Sequence, residues 1–322
     1  MRLIAGKLVR LLVVIWFVTF FSFMLTKAIG GDNDLVSKII PFGAPQTKEQ
    51  LRKDLGLKDP ILVQYKNWLT AFVQGDFGSV YTSTGGRESV SDTMKDALPV
   101  SLELMIYVQV LTLLIAIPLG VLSAYRAGSV FDRSTNITAF ALISLPYLVV
   151  AFLLAAYVGA KWKLLPTQSN LVPFPLSPAE NWRYMLMPTI SLALGQIAIY
   201  MRLLRSDMIA TLQEDFITTA KAKGIPARRV LFRHALRPSS LTLLTVAGLN
   251  VGALISGAIV VERIFGLPGM GGQLVSAILG QQLIEAQAYI AVIAIFYVVL
   301  NFIVDLLYSV LDPRIRHARA IA

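Results

Sequence analysis

Residues 104–125 read LMIYVQVLTLLIAIPLGVLSAY, twenty-two positions without a formal charge. At 1.5 Å per residue a helix of that length reaches about 33 Å, the thickness of a bilayer's hydrocarbon core. Working outward from this stretch, five further runs share its character. The expected spans are 8–28, 102–125, 134–160, 184–204, 239–261 and 286–311. Lipid offers no water to stray backbone N–H and C=O groups, so helices are the economical conformation for all six. The first run, entered past Lys7 and Arg10, is read as a retained span. It is long for a signal-peptide core and is followed by Lys27-Ala28-Ile29-Gly30-Gly31, not by a small-x-small cleavage site.

Composition supports lipid as the solvent. Of 322 residues, 56% are hydrophobic and 15% charged, against about 25% charged in a soluble domain. The chain contains no cysteine, which excludes disulfides, thiolate metal sites and a cysteine nucleophile. Its two histidines, His234 and His317, lie in a basic loop and in the tail. No serine, histidine and carboxylate arrangement stands out. No catalytic residue, metal site or enzymatic activity is therefore expected.

The net charge of +10 follows the topology. With six spans and the N-terminus inside, the inner segments carry sixteen basic residues against five acidic, and the outer segments are balanced. That is the positive-inside pattern, with both termini cytoplasmic. The basic excess thus requires no nucleic-acid partner. A seventh uncharged stretch, Ile264 to Ile284, holds five glycines, Pro268, Gln281 and Gln282, excluding its flanking residues. It reads as a re-entrant or interfacial segment buried in protein.

One polar insertion, 29–100, falls outside the membrane. Within it Gln64 to Phe72 places Tyr65, Trp68, Leu69 and Phe72 on one helical face. That face either packs on the membrane domain or meets a partner that delivers substrate. The largest inner loop, 205–238, reads helix, sharp turn, helix. Gly224 suits a left-handed C-terminal position and Pro226 the first turn of the next helix. A short helix presenting Phe216, Ala220 and Lys223 on one face is suited to docking in a groove of another protein.

At this loop the sequence stops being generic. The run from Asp215 to Pro238, DFITTAKAKGIPARRVLFRHALRP, resembles the coupling loop of binding-protein-dependent ABC importer permeases, most closely the dipeptide/oligopeptide branch. Thr218-Thr219-Ala220 stands where the general signature has Glu-Ala-Ala, Gly224 matches, and His234-Ala235-Leu236-Arg237 replaces Ile-x-Leu-Pro. Leu55-Gly56-Leu57 through Pro60, Gln64-Tyr65 and Gly75-Asp76-Phe77-Gly78 resemble the branch's first outer loop, with Gly31-Asp32-Asn33 where Gly-Asp-Pro is frequent. Glu262, Phe265, Pro268, Gly269 and Gly271 are similar to its V-E-x-x-F-x-x-P-G-x-G stretch. Asp305-Leu306-Leu307-Tyr308 and Asp312-Pro313-Arg314-Ile315-Arg316 are similar to its close.

The resemblance covers nearly the whole chain and implies an all-α membrane protein with the six-helix type I ABC importer permease fold. It would form a single transmembrane domain over 1–322 in the bacterial inner membrane. It further implies a permease subunit that forms half of the pathway of an ATP-driven peptide importer. Its implied partners are a second homologous permease, two ATPase subunits and an extracytoplasmic peptide-binding protein, besides the lipid bilayer. The chain has no Gly-x4-Gly-Lys-Ser/Thr phosphate loop. No cofactor is therefore expected in this chain, with ATP bound by the partners.

By the same resemblance Asp215, Phe216, Thr219, Ala220, Lys223 and Gly224 would couple to the ATPase. Glu262, Phe265, Pro268 and Gly269 would shape the outer gate. No substrate-binding residue is assigned, and di- and oligopeptides are not separated from glutathione, nickel or another small solute. The competing function is a secondary transporter or channel for a small solute, which more often shows charges in mid-span. Glu103 and Asp305 lie near the span ends, where snorkelling lowers the cost of a carboxylate. Asp305 is read as structural, paired near Arg314.

Overall fold

The computed structural model describes residues 2–39, 58–81, 87–167 and 171–311. The Leu55-Gly56-Leu57 motif, the Asp312-Pro313-Arg314-Ile315-Arg316 close, His317 and the Asp305 side chain lie outside what it describes. Helix α1 spans Arg2–Ile39 and α2 Ile61–Val73. A hairpin of β1 (Ser79–Tyr81) and β2 (Arg87–Ser89) follows, with Ser79 opposite Ser89 and Val80 opposite Glu88. This small antiparallel pair is the departure from an all-α chain.

The rest is helical: α3 Val90–Tyr125, α4 Val130–Ser144, α5 Tyr147–Lys161, α6 Pro178–Leu212, α7 Asp215–Ala222, α8 Ala227–Phe265, α9 Met270–Leu279 and α10 Leu283–Leu311. Among the described residues α1, α3, α6, α8 and α10 are long and apolar enough to cross a membrane.

The third expected span, 134–160, is not one helix. It is broken at Leu145-Pro146 into α4 and α5, bent by 91°. Leu145 is extended (φ −90°, ψ 116°) and Pro146 caps α5. Pro crowds the residue before it out of the helical region, so the break is a local consequence of Pro146. Pro188, by contrast, sits inside α6 without ending it. The pair counts as a sixth span or as a re-entrant element.

Other boundaries shift outward. Helix α1 runs to Ile39 and α3 begins at Val90, so helix invades both ends of the expected 29–100 loop. Helix α6 continues to Leu212 and α8 begins at Ala227, which shortens the expected 205–238 loop to α7 and its two connections. The Ile264–Ile284 stretch holds α9, whose ten residues reach only about 15 Å. It does not cross.

The chain divides into two compact units. The first comprises residues 1–101 and 268–299. Here the aromatic face of α2 lies on α1. Tyr65 is buried, its ring 5.3 Å from Phe20 and 5.6 Å from Phe23, and its hydroxyl is 2.9 Å from Thr19 Oγ1. Trp68 stacks on Tyr65 and lies tilted against Phe23 and Phe72. Each such aromatic contact adds roughly 0.5–1.5 kcal/mol beyond its area. The packing reading of this face is the observed one, and its own chain leaves little of it for a partner.

The second unit comprises residues 102–267 and 300–322. Its core is built from Ala116, Val121 and Ala124 of α3, Tyr200, Met201, Leu204 and Met208 of α6, Ile217 and Ala220 of α7, and Val230, Leu231, Leu243 and Ala247 of α8. Close approach is enforced at Gly120, where an added Cβ would stand 3.0 Å from the Met201 carbonyl. Leu114 and Ile137 remain two-thirds or more exposed, as lipid-facing side chains do.

Candidate functional site

Helix α7 carries the expected coupling residues. Asp215 opens it, next to the helix's positive N-terminal end. The Thr219 hydroxyl donates to the Asp215 carbonyl at 3.0 Å. The helix closes at Gly224, whose φ of +72° is left-handed. The Gly224 amide donates to the Lys221 carbonyl (3.0 Å) and the Ile225 amide to the Ala220 carbonyl (3.2 Å). Those two bonds form a Schellman cap, satisfying carbonyls that the helix end would otherwise orphan. Pro226 is the cap of the following helix, one residue ahead of the expected first turn.

The two faces of α7 differ from the expected assignment in one respect. Ala220 does not share a face with Phe216. Ala220 and Ile217 point inward and are buried in the core of the second unit, against the 230–235 segment. Phe216 is 48% exposed, and Asp215, Thr219 and Lys223 are exposed with it. The small side chain at Ala220 therefore lets α7 approach its own chain closely. Full burial of Ile217 is worth roughly 2 kcal/mol, more than a surface ion pair, so α7 is anchored apolarly and not through its lysines.

Beside α7 lies a cavity of about 440 Å³, bordered by Tyr125, Leu212, Lys221, Ile225, Val230 and Leu231. Segment 230–235, at the start of α8, is wound as a π-helix, and His234 there is half-buried.

Next to this element stands a cluster that the sequence did not single out. Asp132, in the first turn of α4, is only 3% exposed. Arg205 of α6 grips it with both prongs: Nε is 2.5 Å from Oδ1 and a terminal guanidinium nitrogen 2.7 Å from Oδ2. The Ser123 hydroxyl donates to Oδ1 at 2.5 Å, the Asn136 amide to Oδ1 at 2.9 Å, and the Gly128 backbone amide to Oδ2 at 2.9 Å. The Arg205 guanidinium, helped by Ser123 and Gly128, holds the Asp132 carboxyl well below the usual carboxylate range despite burial.

One carboxylate thus ties α3, α4 and α6 together. The available signal was Ser129 three residues ahead of Asp132, a capping arrangement in which the Asp132 amide donates to Ser129 Oγ at 3.2 Å. A buried carboxylate needs a partner, and Arg205 lies one turn past the uncharged run that ends at Met201, in the same inner set of segments.

The outer-gate candidates fall in two groups. Glu262 and Phe265, 1% and 2% exposed, belong to the end of α8 in the second unit. Gly266 (φ +62°) ends that helix, with the Leu267 amide donating to the Glu262 carbonyl at 2.9 Å. Pro268 is exposed and Gly269 is the buried N-cap of α9, both in the first unit. There the Met270 amide donates to Ser101 Oγ at 2.8 Å. Glu103 is held by the Tyr107 hydroxyl at 2.8 Å, which also lies 3.0 Å from Asn181 Oδ1.

Five helices long and apolar enough to cross a membrane, with a broken pair beside them, define a multi-pass membrane protein. Residues 116–317 match the family described as binding-protein-dependent transport system inner membrane component, and residues 1–105 match its N-terminal component. The chain belongs to this family, and its fold is that of type I importer permeases.

It is 34% identical over 316 residues to a putative peptide transport system permease protein of Brucella abortus, covering 98% of this chain and 99% of that one. It is 34% identical over 301 residues to the oligopeptide transport system permease of Bacillus subtilis, covering 93% and 94%. With the dipeptide transport system permease of Escherichia coli it shares 32% over 324 residues, covering 94% and 95%. These relatives are transport permeases, and membership in a binding-protein-dependent system sets aside the carrier with its own driving force.

Proposed function

We propose that this chain forms half of the translocation pathway of a peptide importer and that α7 is its docking element for an ATP-hydrolysing subunit. The observation that carries the docking reading is the division of α7. Ile217 and Ala220 anchor one face in the second unit, while Phe216, Thr219 and Lys223 recur at i, i+3 and i+7 on the free face. Phe216 is the apolar anchor and Lys223 the charge that reaches an acidic rim. Movement of α7 would pass through Ile217 and Ala220 directly to α6 and α8. The nearly full-length likeness to peptide permeases supports the substrate class. A second homologous permease, two ATPase subunits and an external binding protein complete the assembly.

The test replaces Phe216 with cysteine in the assembled transporter and asks which subunit it cross-links. Cross-linking to the ATPase is expected, as is a loss of about tenfold in ATP-driven uptake for Phe216→Ala. Labelling of lipid alone, with normal uptake in Phe216→Ala, would remove α7 from the coupling path.

The basic bias supports a cytoplasmic position for α7 and both termini. A reporter fused after Lys223 or Arg316 is expected to be cytoplasmic and one near Gly75 external. An external signal after Arg316 would overturn that orientation.

A further inference from the structure

Within the second unit, three crossing helices bring neutral polar side chains together around Tyr200. Thr112 lies near the centre of the span in α3 and Gln109 about one turn nearer its start, with Gln196 near the centre of the span in α6 and Asn250 near that of α8. Contacts along the helices fix their register. Tyr107 of α3 meets Asn181 of α6, and Gly120 of α3 meets Met201 and Leu204. Helix α8 is fastened in the same way. The Tyr200 hydroxyl lies 3.5 Å from the Ala247 carbonyl, and Gly257 faces Leu192. The side-chain amides of Gln109 and Asn250 both interact with the Tyr200 hydroxyl.

These groups are not fully used within the chain. Gln109 Oε1, Gln196 Oε1 and Thr112 Oγ1 are enclosed and have no hydrogen-bond partner among the described residues. Gln109, Gln196 and Asn250 are half-buried as residues, and beside Gln196 an added Cβ at Gly195 would meet nothing within 4 Å. Orphaned amide oxygens at mid-bilayer depth cost several kcal/mol unless something donates to them. A neighbouring helix is a poor donor, because its backbone N–H groups are already bonded along its own axis. An extended peptide carries free N–H and C=O groups at every residue.

We infer that Gln109, Thr112, Gln196 and Asn250, held by Tyr200, form a binding belt for the backbone amides of a peptide in transit. The inference rests on the peptide reading above and deepens it. The spans that carry the belt, residues 104–125, 184–201 and 239–261, contain no Asp, Glu, Lys, Arg or His. Neutral amides therefore address the backbone that all peptides share and leave side-chain charge unread. That is the chemistry a sequence-tolerant carrier needs.

The test uses the complete transporter with its binding protein. It measures uptake of labelled trialanine against the same peptide N-methylated at both inner amides, for wild type and for Gln109→Leu, Gln196→Leu and Asn250→Leu. Wild type is expected to prefer the unmethylated peptide. At least Gln196→Leu and Asn250→Leu should narrow that preference by about two- to tenfold, the range of one or two neutral hydrogen bonds. The preference is a ratio, so it does not depend on how much of a variant reaches the membrane.

Equal uptake of both peptides by wild type, or an unchanged ratio in all three variants, overturns the inference. So does loss of permease pairing with the ratio preserved in residual uptake, which would make the belt a contact between subunits. If wild type takes up neither peptide, the peptide reading itself fails and the belt with it.

Discussion

Replacing Asp132 with alanine is expected to cost about 3–5 kcal/mol, the range for breaking a buried ion pair by removing one partner. The carboxylate is 3% exposed and receives donors from Arg205, Ser123, Asn136 and Gly128. Its removal strands the guanidinium and unties α4 from α6 in one step. Asp132→Asn keeps the shape but removes the charge, so its cost should be smaller. Arg205→Lys keeps the charge but loses the two-pronged grip, and should not restore full stability.

Thermal unfolding of the purified transporter measures this series, with a fall in midpoint on the order of 10 °C for Asp132→Ala. A shift within a degree of wild type would show that the cluster is not what joins these helices. The sign of the pH dependence follows from the lowered Asp132 carboxyl. A depressed carboxylate contributes fully above its unfolded value near 4 and loses that contribution only as pH falls through the lower folded value. Stability from this cluster is therefore flat from about pH 5 to 8 and falls on the acid side, and the acid-side slope weakens in Asp132→Asn.

Substitution of Gly224 tests the other end of the proposed docking helix. The residue has a φ of +72°, and an added Cβ would meet nothing within 4 Å. The penalty is therefore backbone strain alone and should grade with the side chain. Asparagine, which tolerates the left-handed region, costs least, alanine about 1 kcal/mol, and β-branched valine about 2 kcal/mol. Because the Schellman bonds from Gly224 and Ile225 set the exit of α7, strain here displaces the Phe216 face without touching it. ATP-driven uptake should fall in the order asparagine, alanine, valine, while membrane abundance stays near wild type. Equal uptake in all three variants would mean that the reversal after α7 does not matter to coupling.

The rank order also separates this effect from packing. A bulky replacement at Ala220 should damage the core of the second unit itself, because Ala220 is buried among Ile217, Leu231 and Leu243 rather than offered to a partner. Its cost should therefore appear in unfolding as well as in uptake.

Apolar run length located five helices long and apolar enough to cross a bilayer, because a bilayer imposes one length and one backbone solution on any uncharged run. Gly224 was legible as a left-handed stop, since only local backbone sterics are at stake there. The Gly-rich stretch around Pro268 likewise declared itself too broken to cross.

The break at Leu145-Pro146 was readable but passed over, since Pro188 shows that a helix can absorb the same residue. What the sequence could not disclose depends on which faces meet. Ala220 and Phe216 are four residues apart, and periodicity alone put them on one face; packing of Ile217 into the core turned Ala220 inward. Asp132 and Arg205 are separated by 73 residues, and no local pattern links them. Gln109, Gln196 and Asn250 each look like a tolerated polar residue in its own span. Sequence by itself determined the membrane, the helices and the family, because those follow from composition, length and local motif. Only the tertiary structure decided which polar groups share a level and which remain without a partner, because hydrogen bonding between helices depends on their rotation and register, and these are set by packing.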